Sequence, residues 1–119
     1  MPNRSALIVE DDSQLCEIFA ELFEYANMQV ERTEDGQIAL DMLARLTPDV
    51  IMLDIHLPHV SGLEILKWVR GEPRLAHTKI VAITANTLLK DTLKEQADYV
   101  IIKPPDFDHL DALMREIAE

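Results

Sequence analysis

Short apolar runs that end at a polar residue constrain the fold of this chain more than any other feature. In the run Val50-Ile51-Met52-Leu53 all four residues are apolar, Asp54 follows directly, and Pro48 and Pro58 flank the segment as turn formers. A run of this kind, partly β-branched, suits a strand covered on both faces better than a half-exposed strand. We therefore predict a buried strand that ends at Asp54.

The same pattern recurs elsewhere in the chain. The other runs are Ala6-Leu7-Ile8-Val9 before Glu10 and Asp11, Ile80-Val81-Ala82-Ile83 before Thr84, and Tyr99-Val100-Ile101-Ile102 before Lys103. The carboxyl ends of strands in an open parallel sheet lie side by side, and ligands bind in the crevice above them. The polar residues that follow the four runs are therefore expected to converge.

The segments between the runs carry apolar residues at helical spacing, and Met28 to Thr33 alternates apolar and polar residues as an edge strand does. The predicted helical faces are Leu15 to Ala26, Ile38 to Leu46, Leu63 to Val69, a short helix of about two turns with Leu89 and Leu93, and Phe107 to Ile117. Five strands alternating with five helices predict a doubly wound, flavodoxin-like α/β fold. Right-handed crossovers and an edge position for the second strand favour the sheet order 2-1-3-4-5.

Length and charge limit the classes of function. A chain of 119 residues fits one domain over residues 1–119. With 22 acidic and 11 basic residues, a net charge of −11 disfavours binding to nucleic acid or to anionic membranes. The single cysteine, Cys16, excludes an internal disulfide, and we find neither a leader-like amino terminus nor a membrane-length apolar stretch. A cytoplasmic protein is therefore expected.

The charges of the converging residues indicate their chemistry. Glu10, Asp11 and Asp54 would repel one another in one crevice unless a cation or a proton intervened. Mg²⁺ accepts one or two carboxylates together with waters and phosphate oxygens. Asp54 could then attack phosphorus to give an aspartyl phosphate. Lys103 would supply a positive charge for the transferred oxygens, and Thr84 a hydroxyl donor.

Each of these residues has a structural explanation when it is taken alone. An acidic pair after a strand is usually a helix cap, and an aspartate such as Asp54, taken alone, is more often a turn residue. A single threonine or lysine at the end of a strand indicates nothing. Only their joint occurrence at four strand ends favours a site for phosphoryl transfer.

With these motifs the chain resembles the receiver domains of two-component response regulators, in particular the single-domain, chemotaxis-regulator-like kind. The resemblance spans nearly the whole chain and rests on LIVEDD at 7–12, LDIHLPHVSG at 53–62, AITA at 82–85 and KP at 103–104. It implies that Asp54 is the phosphoacceptor. It also implies that Glu10, Asp11 and Asp54 hold Mg²⁺ together with the backbone carbonyl of His56.

The resemblance assigns the remaining residues as well. It implies that Thr84 is the switch hydroxyl, that Lys103 is the family's lysine, and that the peptide bond between Lys103 and Pro104 is cis. The family places an aromatic residue three positions before the lysine, where this chain has Val100, and Tyr99 falls on the opposite face of the strand. The segment between Thr84 and Lys103 is also shorter than the family norm, so partner recognition is expected to differ there.

The chain has four histidines, which are possible metal ligands. His56 and His59 lie in the loop after Asp54, but zinc would need further ligands, and His77 and His109 are expected at the surface. The side chain of His56 is expected to overhang a phosphoryl group on Asp54. There it could shield or orient the hydrolytic water.

The function implied by the resemblance is a phosphorylation-dependent signalling switch. It would take a phosphoryl group from a phosphohistidine on a sensor histidine kinase or a histidine phosphotransfer protein. It would catalyse only its own phosphorylation and dephosphorylation. Its output is expected through an unknown downstream protein, and a role as a phosphate relay or sink fits the sequence equally well.

Two alternatives remain open at this point. A small Mg²⁺-dependent phosphohydrolase with an aspartyl nucleophile would use the same ion and intermediate, although such enzymes usually need a second carboxylate where this chain has His56. Multiple turnover of a generic phosphate ester would favour it. The other alternative is an interaction module that is never phosphorylated, and the complete set of polar residues argues against it.

Overall fold

The centre of the fold is a parallel β-sheet. The structure, a computed structural model, describes residues 4–118. Its strands are β1 (Ser5–Val9), β2 (Gln29–Thr33), β3 (Val50–Asp54), β4 (Lys79–Thr84) and β5 (Tyr99–Ile102). They form one sheet in the order β2-β1-β3-β4-β5, and all neighbouring strands are parallel. This confirms the predicted flavodoxin-like architecture and strand order.

Helices cover both faces of the sheet. Within residues 4–118 they are α1 (Ser13–Tyr25), α2 (Gly36–Leu43), α3 (Gly62–Arg70), α4 (Lys90–Lys94) and α5 (Phe107–Ala118), with 3₁₀ turns at Pro73–Leu75 and Thr87–Leu89. One core lies between the sheet and α1 and α5, and the other between the sheet and α2, α3 and α4. Val50 and Met52 of β3 pack into the first core, and Ile51 and Leu53 into the second. Because β3 is buried on both faces, its sequence is apolar without interruption.

Short polar side chains fix the starts of the helices at the carboxyl edge of the sheet. Asp12, Asp35 and Ser61 accept hydrogen bonds from backbone N–H groups in the first turns of α1, α2 and α3. At the start of α5, Asp106 accepts hydrogen bonds from the N–H groups of Asp108 and His109. The caps hold the loops that carry the polar residues of the strand ends.

The second helix ends earlier than the sequence predicts. The apolar pattern continues to Leu46, but α2 ends at Leu43. The guanidinium group of Arg74 donates hydrogen bonds to the carbonyl oxygens of Leu43 and Leu46 and to the hydroxyl of Thr47. These bonds satisfy carbonyl groups at the helix end from outside the helix, so the chain can leave the helical path before Pro48.

The carboxyl-terminal strand and helix are less buried than the sequence predicts. In β5 only Ile101 is buried, whereas Tyr99, Val100 and Ile102 are half-buried, because the strand lies at the edge of the sheet. Phe107 was expected on the apolar face of α5, but it is the first residue of the helix and is 53% exposed. The opposite edge strand, β2, has the low burial that its alternating pattern predicts.

The segment between β4 and β5 forms the short helix that the sequence predicts. It consists of the 3₁₀ turn at Thr87–Leu89 and the five-residue α4, with Leu93 fully buried and Leu89 packed against the same core. No helix within the described part of the chain combines the length and apolarity needed to cross a membrane.

Candidate functional site

Side chains from separate strand ends meet at the carboxyl edge of the sheet. Glu10 follows β1, Asp54 ends β3 and Lys103 follows β5. The Lys103 Nζ atom lies 3.1 Å from Oε1 of Glu10 and 3.3 Å from Oδ2 of Asp54. The topology of the sheet therefore brings together a lysine and two carboxylates that are far apart along the chain.

Asp54 is held by the backbone that follows it. Its side chain is 2% exposed, and Oδ1 accepts a hydrogen bond from the N–H of His56 at 3.0 Å. The N–H of Gly62 donates to the carbonyl of Ile55, so residues 56 to 61 close back onto the strand end. A Cβ atom at position 62 would lie 2.3 Å from the carbonyl oxygen of Asp54. Glycine at this position is thus required by the close approach of two backbone segments.

Glu10 is a buried carboxyl group with incomplete hydrogen bonding. Burial raises its pKa to about 7, the neighbouring Asp54 adds to the rise, and the N–H of Asp12, which donates to Oε2 at 3.1 Å, opposes it. Among the described residues no group makes a hydrogen bond of good geometry to Oε1, although Lys103 lies nearby. A buried oxygen in this situation has an unused lone pair for a cation.

Asp54 and Lys103 stabilise each other in their charged forms. Burial alone would raise the pKa of Asp54, but the neighbouring carboxyl group of Glu10, the hydrogen bond from the N–H of His56 and the charge of Lys103 hold it below its ordinary value. Burial alone would lower the pKa of Lys103, but Glu10 and Asp54 outweigh it and raise that pKa. At neutral pH the cleft therefore presents an ionised aspartate beside a protonated lysine.

Glu10, Asp11 and Asp54 could together hold a metal ion. One carboxylate oxygen from each residue lies within 4.8 Å of the other two. Glu10 and Asp54 are buried while Asp11 is exposed, so the cluster is open to solvent on one side. Oxygen ligands in a partly open cleft suit a hard divalent cation that keeps some of its waters.

The hydroxyl of Thr84 is joined to Asp54 through His56. Thr84 is fully buried at the end of β4, and its Oγ1 lies 2.9 Å from Nε2 of His56. The same Oγ1 accepts a hydrogen bond from the N–H of Asn86 at 3.0 Å. The contact between His56 and Thr84 was missed by the sequence reasoning, because nothing in the spacing of two residues 28 positions apart indicates that their side chains meet.

The loop between β3 and α3 also contacts the residues at the start of α2. The Nδ1 atom of His59 lies 3.4 Å from Oδ2 of Asp35, and His59 has a positive φ of 68°. A Cβ atom at Gly36 would lie 2.3 Å from the carbonyl oxygen of Val60. His59 is exposed, and its contact with Asp35 was not foreseen from the sequence. The only sequence signal for this anchor is the glycine that follows Asp35.

The two faces of β5 carry the residues that the sequence assigns to them. Tyr99 packs against the core under α1 and α5, and Val100 against the core under α2, α3 and α4. The side chain that takes the place of the family's aromatic residue is therefore a partly buried valine. The peptide bond between Lys103 and Pro104 is cis, as the resemblance implies.

Known proteins resemble this chain in sequence over most of its length. A model of the response regulator receiver domain family matches residues 6–115. The polar-differentiation response regulator DivK of Brucella anthropi is 39% identical over 88 residues, which are 74% of this chain and 72% of that protein.

Solved structures resemble the chain in fold. A CheY-like response regulator receiver domain from Methylobacillus flagellatus gives a TM-score of 0.82 at 30% identity, with 98% of this chain and 99% of that chain covered. The receiver domain of the sensor histidine kinase PA1611 from Pseudomonas aeruginosa PAO1, which has a magnesium ion coordinated in its active-site cleft, gives 0.84 at 22% identity with 98% of each chain covered. This chain therefore belongs to the response regulator receiver domain family, which acts in the phosphorylation-dependent signalling of two-component systems.

Proposed function

We propose that Asp54 accepts a phosphoryl group from a phosphohistidine on a sensor histidine kinase or a histidine phosphotransfer protein. The observation that carries this proposal is the position of the Lys103 ammonium, 3.3 Å from Asp54 and 3.1 Å from Glu10. A buried, ionised carboxylate beside a fixed cation at the edge of a parallel sheet has the charge and the position needed to attack phosphorus.

Mg²⁺ is the ion proposed for this site. Its ligands would be the carboxylates of Glu10, Asp11 and Asp54 and the backbone carbonyl of His56. The oxygen donors and the incompletely bonded Oε1 of Glu10 support this choice. The PA1611 receiver domain, which shares the fold, holds magnesium in its cleft. When bound, Mg²⁺ would neutralise charge on the phosphoryl oxygens.

The proposed reaction balances without a further reactant. An ionised oxygen of Asp54 forms the new O–P bond while the N–P bond of the phosphohistidine breaks, and the electron pair of that bond stays on the donor imidazole. Lys103 contacts the transferred oxygens as a compact positive charge. After the transfer the Thr84 hydroxyl donates a hydrogen bond to one of these oxygens.

The signal would leave the site through the segment after β4. A phosphoryl group adds roughly −1.5 to −2 charges at Asp54, which attracts the hydroxyl of Thr84. Because the N–H of Asn86 is bonded to that hydroxyl, a movement of Thr84 would carry the 3₁₀ turn and α4 toward a second arrangement. A downstream protein would recognise this change by direct contact.

The proposal also includes the bounds of the domain, the reaction that the protein catalyses and its location in the cell. The family match over residues 6–115 supports a single receiver domain over residues 1–119. His56, in place of a second carboxylate, supports a protein that catalyses only its own phosphorylation and dephosphorylation. The acidic charge and the single cysteine support a cytoplasmic location without direct binding to nucleic acid or membranes.

The proposal is tested by labelling the protein with acetyl phosphate in the presence of Mg²⁺. We expect a mass increase of one phosphoryl group, loss of that increase when EDTA removes the metal, and an acyl phosphate that maps to Asp54 after borohydride reduction. A label on a different residue would contradict the assignment. Sustained multiple turnover of a generic phosphate ester would support the phosphohydrolase instead.

The affinity for Mg²⁺ is expected to rise with pH and to level off above about pH 7, where Glu10 has lost its proton.

The raised pKa of Glu10 also affects stability, because the folded state holds this proton more tightly than the unfolded chain does. The contribution of Glu10 to the stability of the metal-free protein is therefore complete below pH 4.5 and lost as the pH rises to about 7.

Calorimetric titration with Mg²⁺ over a pH series measures how the affinity for the ion depends on pH. Glu10→Gln should bind more weakly and lose the rise in affinity that the wild type shows up to about pH 7, while Glu21→Gln, an exposed position on α1, should keep the wild-type profile. A wild-type affinity that does not change between pH 5 and pH 8, roughly the range in which a group with a pKa near 7 titrates, would rule out Glu10 as the proton-linked ligand.

A further inference from the structure

The hydroxyl of Thr84 already has two partners in the unphosphorylated protein. Its Oγ1 lies 2.9 Å from Nε2 of His56, and it accepts the N–H of Asn86 at 3.0 Å. Thr84 is fully buried, whereas His56 is exposed, so an exposed ring covers a buried hydroxyl. Phosphoryl transfer to Asp54 does not itself require this arrangement.

The hydrogen bond between His56 and Thr84 restrains the position of the Thr84 hydroxyl. A threonine hydroxyl has one proton to donate, and its oxygen accepts other hydrogen bonds. In one imidazole tautomer Thr84 donates that proton to His56, and in the other the Nε2–H of His56 donates to the oxygen. With either tautomer, Oγ1 moves toward a phosphoryl oxygen only by stretching or breaking its bond to His56.

The backbone that carries His56 is fixed by contacts other than the one to Thr84. The N–H of His56 is bonded to Asp54, and the N–H of Ile55 donates to the carbonyl of Ile83 at 2.9 Å. At the far end of the loop, the carbonyl of Val60 lies against Gly36. The ring therefore projects from an anchored loop and can hold the hydroxyl in place.

We propose that His56 is a positioning residue that latches the Thr84 hydroxyl in the unphosphorylated protein, and that phosphorylation of Asp54 exchanges this bond for one to the phosphoryl group. The inference rests on the proposed role of Asp54. The latch stabilises the unphosphorylated arrangement and so lowers the population of the alternative one. A single hydrogen bond of this partly buried kind changes such an equilibrium by roughly threefold to tenfold.

A double-mutant cycle between His56 and Thr84 tests the latch. With acetyl phosphate and Mg²⁺, His56→Ala should become phosphorylated about threefold to tenfold faster than wild type. His56→Gln, whose amide can reach the same hydroxyl, should restore a rate close to that of wild type. In a Thr84→Val background, His56→Ala should have no further effect, because the partner is already absent. His77→Ala, an exposed histidine far along the chain, should behave as wild type.

The ring nitrogens of His56 give a direct spectroscopic test. In ¹⁵N NMR spectra the Nε2 signal of His56 should differ from that of the exposed His77 in wild type. It should approach the His77 value in Thr84→Val and after phosphorylation of Asp54. A His56 signal that is unchanged by both treatments would overturn the latch, and the comparison with Thr84→Val needs no phosphorylation.

The outcomes separate this inference from the proposed function. If Asp54 is labelled in every variant but His56→Ala acts equally in the wild-type and Thr84→Val backgrounds, the latch is wrong and the role of Asp54 stands. If His56→Ala changes the decay rate of the aspartyl phosphate equally in both backgrounds, the latch is also wrong, and His56 shields the phosphoryl group instead. If no variant is labelled at Asp54, the proposed function fails, and with it the proposed exchange.

Discussion

Asp54→Asn is expected to gain no phosphoryl group from acetyl phosphate and Mg²⁺, whereas the wild-type protein gains one. The asparagine amide lacks the negative charge and the esterifiable oxygen that attack on phosphorus requires. Glu10 is fully buried in contact with Lys103 and has its pKa raised to about 7, which makes it a poor replacement nucleophile. The loss should therefore be complete within the sensitivity of intact-mass measurement.

The substitution should leave the fold intact, which makes the result interpretable. The side-chain oxygen of asparagine can still accept the N–H of His56, which Oδ1 of Asp54 accepts at 3.0 Å. Asp41→Asn is a matched control, because Asp41 is an exposed aspartate on α2 that accepts a hydrogen bond from Gln37. It should be labelled as wild type is. A label that persists in Asp54→Asn while both variants unfold as wild type does would refute the phosphoacceptor assignment.

The strands and their order could be predicted because burial controls the composition of a parallel sheet. Each inner strand needs apolar side chains on both faces, and this produces uninterrupted runs such as that of residues 50–53. The runs end where the strands reach the carboxyl edge, so the next residue in the sequence lies at the rim of the cleft. The convergence of Glu10, Asp54 and Lys103 thus follows from topology combined with the positions of the run ends.

Other features depend on contacts that no local pattern encodes. The end of α2 depends on Arg74, whose guanidinium approaches from 31 positions away. The meeting of His56 with Thr84 depends on the path of the loop after β3 and on the direction of one ring. Periodicity reports which face of an element is buried, but it carries no information about where a loop side chain points. These contacts determine how the site is held, and only the structure shows them.

Gly62→Ala is expected to lower the free energy of unfolding by about 3 kcal/mol or more, because no space exists for the added methyl group. Its Cβ would lie 2.3 Å from the carbonyl oxygen of Asp54 and 2.5 Å from Cα of Ile55. Both are backbone atoms, so relief requires α3 to move away from the end of β3. That movement would also disturb the loop whose His56 N–H holds Asp54, so labelling by acetyl phosphate should fall as well.

Gly71→Ala provides the matched control, since it adds the same methyl group at the other end of α3. There the Cβ would lie 3.5 Å from the nearest atom, the carbonyl oxygen of Lys67, and the backbone already has an ordinary helical φ of −87°. Reduced freedom of the unfolded chain should make this variant neutral or more stable by roughly 0.5 kcal/mol. Urea denaturation of the two variants beside wild type measures the difference. If Gly62→Ala unfolds at the same urea concentration as Gly71→Ala, then β3 and α3 do not approach as closely as described, and Asp54 must be positioned by other contacts.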